Sequence, residues 1–120
     1  MTGDFEMPVS SLFNMPNQGT VLAGLINRGG VAIGDHVTIA SPGAAKDVVV
    51  AGLEQIGTRK FLDSATQGQE IAILCRGLQI EDLADGLERI EEGGWKVVSL
   101  TVRSADSGPL RWWNRIWKFS

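Results

Sequence analysis

Cysteine and histidine each occur once in these 120 residues, as Cys75 and His36. A lone thiol excludes an internal disulfide, and its setting in EIAILCRG, among apolar neighbours, predicts a small buried hydrophobe. A lone imidazole makes neither a zinc site nor a catalytic triad by itself. Long apolar runs are missing too: no stretch reaches the roughly 18 residues that a membrane-spanning helix needs. Residues 1–6 are too polar and acidic for a signal peptide, so a cytoplasmic location is expected. The chain also lacks an excess of positive charge. Its formal net charge is −3, and the three cations Arg111, Arg115 and Lys118 near the C-terminus leave eight bases against fourteen acids, or −6, elsewhere. The acids gather in IEDLADGLERIEE (80–92), where Glu81, Asp82, Asp85, Glu88, Glu91 and Glu92 face the single base Arg89. Such a body is a poor match to a phosphate backbone, which calls for a basic stripe. At this length, and 43% hydrophobic, the chain makes one domain with a single core and has no room for a second.

What is present reads as β structure. TVLAGLI (20–26), HVTIA (36–40), DVVVAGL (47–53), EIAILC (70–75) and KVVSLTV (96–102) are short, rich in Val, Ile and Thr, and bounded by turn residues. NRGG (27–30), IGD (33–35), SPGAAKD (41–47), SATQGQ (64–69) and EEGG (91–94) supply glycine, asparagine and proline where the chain reverses. Strands of this length at near-regular spacing predict a mainly β fold, a small closed barrel that leaves few exposed sheet edges. Alternation sets His36 with Thr38 on the solvent face, opposite Val37 and Ile39. In the strand over 70–75, Ile71, Ile73 and Cys75 share one face and Ala72 and Leu74 the other, so both faces are apolar and a covering element is expected. Helix signals are confined to IEDLADG and the C-terminal segment.

Several of these pieces, taken together, resemble a known family. FEMPVSSLFNMPNQGTVLAGLINRGGVAIGDHVTI (5–39), followed by TRKFLDSATQGQEIAILCRGL (58–78), is similar to the second domain of translational GTPases of the elongation factor Tu type. The telling positions are Met7-Pro8, Gly19-Thr20-Val21, Arg28-Gly29 before Gly34-Asp35, Arg59-Lys60 with Leu62-Asp63, and Arg76-Gly77. The resemblance covers about residues 5–92 and implies a translation-factor barrel, to which residues 95–120 add a strand and a Trp-rich helix. No GxxxxGK[ST] loop occurs, so GTP binding is not expected and no cofactor is implied. In the family this barrel helps hold the aminoacylated 3′ end of tRNA with the loop that matches PVSSLFNMPNQGTV. There an acidic pair and an arginine do the holding, whereas this chain has Ser10-Ser11 and Gln18. The candidate binding residues in this loop are Phe13, Asn14, Met15 and Gln18, with Met15 an apolar platform for a base and packing its ordinary alternative.

No nucleophile and base pair can be nominated, so a non-enzyme is expected. The stretch from Glu81 to Glu92 echoes a calcium loop, but Leu83 and Arg89 fall at ligand positions and Glu81 stands where Asp belongs, so no metal is expected. The remaining feature is RWWNRIWKF (111–119), with three of the four tryptophans. As a helix starting near Pro109 it gathers Leu110, Trp112, Trp113, Ile116, Trp117 and Phe119 on one half and Arg111, Asn114, Arg115 and Lys118 on the other. So short a helix needs cover. The barrel itself, a partner protein met through Trp112, Trp113, Arg115 and Trp117, or weakly an anionic membrane surface would provide it. The reading that results is a stand-alone binding module expected to mediate protein–protein interaction. The alternative is a translation-associated module touching tRNA or ribosomal components.

Overall fold

The computed structural model describes residues 5–90 and 95–105. Its long strands follow the Val- and Ile-rich segments: β1 Glu6–Met15, β2 Gly19–Leu25, β4 His36–Ser41, β5 Ala44–Gln55 and β8 Glu70–Arg76, with β11 Thr101–Ser104 near the end. Short strands fill the connections, namely β3 Gly30–Ala32, β6 Phe61–Leu62, β7 Ser64–Thr66, β9 Leu87–Arg89 and β10 Trp95–Val97. All pairings are antiparallel. The six strands β4, β11, β1, β2, β8 and β5 are neighbours in that order, and β5 pairs back with β4, so the sheet closes on itself. Strand β6 lies outside the ring against β5.

Alternation explains what fills the barrel. Met7, Leu22, Val37, Ile39, Ile71, Ile73, Cys75 and Val102 point inward and are almost wholly shielded. Ala72 and Leu74, on the outer face of β8, are only partly shielded. The segment after β8 seals one end: Leu78 and Leu83 enter the core, and the buried Thr20 hydroxyl donates to the Leu78 carbonyl at 2.6 Å. IEDLADG, which carries Leu83, forms a 3-10 helix, Ile80–Gly86, rather than an α-turn. It leans on the β4–β5 hairpin, where Lys46 Nζ lies 3.9 Å from the Asp82 carboxylate.

Four features depart from the sequence-based expectations. The strand over 96–102 is two strands: β10 pairs with β9, the chain bends at Val98–Ser99, and β11 then inserts between β1 and β4 as a stave of the ring. The added strand is thus structural to the barrel. The turn over 41–47 is shorter than its composition suggests, because β5 already begins at Ala44 and pairs with Ser41. Thr38 is buried, unlike its face-mate His36, because its hydroxyl donates to the Asp47 carboxylate at 2.6 Å. Strand β1, finally, runs through a stretch read from the sequence as a loop, and its register shifts between Val9 and Ser11, so the inward positions move from Met7 and Val9 to Leu12. The turn EEGG and the C-terminal helix, with Trp112, Trp113, Arg115 and Trp117, lie outside the described residues.

Candidate functional site

The β1–β2 hairpin carries the loop residues singled out in the sequence. The Gln18 amide donates to the Met15 carbonyl at 2.9 Å, closing a tight reversal in which Asn17 takes φ 67° and Gly19 φ 141°. Asparagine tolerates the first value, and glycine alone suits the second, because a side chain at Gly19 would run into the Cys75 carbonyl of β8. Close approach of β2 to β8 thus depends on that glycine. Phe13, Asn14, Met15 and Gln18 are all exposed.

Register decides which of them act together. Phe13 stands opposite Val21, Val21 opposite Leu74, and Leu74 opposite Gly52, which makes one continuous row across β1, β2, β8 and β5. One step along, Met15 stands opposite Gly19, and Gly19 opposite Arg76. Since Leu22 and Cys75 point inward, this row and its neighbour lie on the outer surface. The result is an apolar row in which exposed Phe13 and Met15 and half-buried Leu74 surround a buried Val21, with glycines at 19 and 52 between them and Arg76 at the edge. Phe13 is 50% exposed and Met15 38%, so neither is used up by the core.

Asn14 belongs to the other face, since it opposes the buried Thr20. The hairpin therefore brings together Phe13 and Met15 and separates Asn14 from them. Gln18 sits in the turn beside Met15. The serines that stand where the resemblance expects acids form the β1 bulge, and the Ser10 hydroxyl is engaged with the Ala23 carbonyl at 3.1 Å. Sequence reading missed Val21, Leu74, Arg76 and Gly52 as partners of Phe13. Their segments, GTV and ILCRG, were visible, but only the cross-strand register makes them adjacent.

The chemistry available on this strip is contact chemistry. The thiol beneath it is pushed up to about 12 by burial, which keeps Cys75 protonated and unreactive. Among the described residues no three His, Cys, Asp or Glu side chains come together to hold a metal ion. Nor is any described helix long and apolar enough to cross a membrane.

No family model matches the chain. Among solved structures it is similar to translation elongation factor SelB from Methanococcus maripaludis in its apo form, with a TM-score of 0.65 and 21% identity. The match covers 88% of this chain and 20% of that one, so the chain spans about a fifth of the length of the protein it resembles. At this identity the likeness is one of fold. The described barrel, closed from six strands with β6 outside, has a fold of the translation-factor domain 2 type.

Proposed function

We propose that this chain is a non-catalytic, cytoplasmic binding module whose working surface is the outer strip of Phe13, Met15 and Leu74, packed on the buried Val21. The observation that supports it most is the combination of a half-exposed phenylalanine and an exposed methionine, beside glycines, on a rigid closed sheet. A flat apolar strip of this kind, held by hydrogen-bonded strands, gains contact area on binding without ordering a loop. Aromatic and methionine side chains are also the types enriched where proteins meet. The occupant proposed is an apolar segment of a partner protein.

A second reading keeps the translation role suggested by the fold, with tRNA or a ribosomal component on the same strip. Arg76 at its edge favours this reading, since a cation next to a flat apolar surface suits a stacked base and its phosphate. Against it stands the −6 balance outside the C-terminal segment.

Site-directed photo-crosslinking separates the two. A photoreactive phenylalanine analogue is placed at Phe13 and, as a control, at exposed Val98, and the full chain is irradiated in its own cells. A discrete adduct from position 13 that survives ribonuclease, absent from position 98, supports a protein partner. An adduct lost to ribonuclease transfers the strip to RNA. Absence of any position-specific adduct sinks both readings.

A further inference from the structure

Charge is distributed unevenly around the strip. No charged residue occurs between Glu6 and Arg28, so the β1–β2 hairpin is neutral from Met7 to Leu25. The neighbouring strand β8 supplies the charges that border it, and its outer face reads Glu70, Ala72, Leu74, Arg76. Glu70 stands opposite Leu25, at the end away from the hairpin turn, and Arg76 stands opposite Gly19, at the turn. Leu74, in the row of Phe13, is therefore about 7 Å from Arg76 along the strand and about 13 Å from Glu70. The other acid facing this way, Glu54, lies one row beyond Leu74, opposite Ala72, and is engaged by Arg59 Nε at 3.3 Å.

Arg76 itself is uncommitted. Arg28 pairs with Glu6, Lys46 with Asp82 and Arg59 with Glu54, and Arg89 lies over the Trp95 ring. Arg76 is exposed and has no ion-pair partner among the described residues. Beside it the surface is bare, because β2 and β8 approach so closely at Gly19 that an added Cβ would come within 2.9 Å of the Arg76 Cα. Met15 flanks the same glycine on its other side. Between Met15 and Arg76 there is thus a side-chain gap two strand spacings wide, roughly 10 Å, next to the apolar row.

We propose that the strip takes an acidic–apolar segment of its partner, with apolar side chains on Phe13 and Leu74 and a carboxylate over Gly19, between Met15 and Arg76. The proposal rests on the reading of the strip as a protein-binding surface and adds the chemistry of what binds there. A wholly apolar occupant would strip water from the Arg76 guanidinium and offer it no acceptor. A nucleic acid would bring a phosphate with every nucleotide to a surface that answers only one of them, on a body of balance −6. One carboxylate matches one guanidinium, and two parallel hydrogen bonds between them fix the direction in which the segment lies.

The test is a selection of phage-displayed random linear peptides on the immobilised full chain, on Arg76→Glu and on Phe13→Ser. Both substitutions fall on exposed side chains, and circular dichroism checks that the barrel signal is kept. The natural chain should enrich peptides that join apolar residues to Asp or Glu, Arg76→Glu should exchange that acid for Lys or Arg, and Phe13→Ser should enrich neither. A synthetic peptide of the enriched sequence should bind Arg76→Glu about tenfold or more weakly than the natural chain. Apolar peptides without an acid, or an acid preference that Arg76→Glu leaves unchanged, would overturn the proposal while the strip keeps its role. Equal enrichment on all three chains, or none on the natural chain, would remove the strip and the proposal together. Binding of an oligouridylate that displaces the selected peptide and is lost in Arg76→Glu would hand the seat to RNA and overturn it as well.

Discussion

Two buried residues turn the packing into measurable chemistry. Cys75 is sealed between the ring and its cap, and burial raises its thiol from the ordinary 9.0 to about 12. The unfolded chain ionises first as pH rises, so it binds fewer protons than the folded chain between these values, and stability falls across that window. Below pH 9 the contribution is fully present. Urea titrations from pH 8 to 11 should show a declining midpoint in the natural chain and a flatter one in Cys75→Ala, and equal slopes would discount the burial. Thr20 offers a second check. Its hydroxyl is the bond that ties the Leu78 turn to β2, and Thr20→Val keeps the shape while leaving that buried carbonyl without its donor. A loss of about 1–3 kcal/mol is expected, read as a lower urea midpoint with an unchanged slope.

At the scale of the element, the β1 bulge decides what the hairpin can present. It lets Met7 and Val9 fill the barrel near its start and Leu12 farther on, while turning Phe13 and Met15 outward. The crossing is possible only because Gly24 has no side chain, since a methyl group there would run into the Pro8 carbonyl. Gly24→Ala should therefore cost about 1–3 kcal/mol or more and broaden the amide signals of β1 in NMR spectra; an unperturbed β1 would show that the strand shifts freely. The bulge also explains what could be read beforehand. Strands β2, β4, β5 and β8 were legible from their Val, Ile and Thr content between turn residues, although only β8 alternates cleanly and β5 shifts register between Val50 and Gly52, whereas β1 changes phase at Ser10 and was not legible. KVVSLTV looks continuous because a bend at Val98–Ser99 leaves no glycine or proline as a marker. Phe13 and Met15 were legible as loop candidates, and Val21 joins Phe13 across the hairpin, but Leu74 and Arg76 join them only through β2–β8 pairings more than fifty residues apart in sequence, which no local pattern encodes.

For the whole molecule, closure is the property on which everything else rests. Six strands form a ring only if β11 fills the gap between β1 and β4, and its Val102 is fully buried there, opposite Met7 on one side and Ile39 on the other. The resemblance read from the sequence over about residues 5–92 thus leaves out the stave that completes the barrel, whereas the structural likeness covers 88% of the chain. Removing residues 101–120 should leave β1 and β4 with open edges, whose unpaired amides and carbonyls are templates for association. Loss of the cooperative melt and elution as aggregates in gel filtration are the expected results. A chain ending after Ala105 keeps the ring and should still melt cooperatively as a monomer. If both truncations behave alike, with the first remaining folded and monodisperse, then β11 is an accessory and the five other strands close by themselves. If only the first collapses, the bent segment Trp95–Ser104 is what turns an open sheet into a platform rigid enough to hold Phe13 and Leu74 in one row.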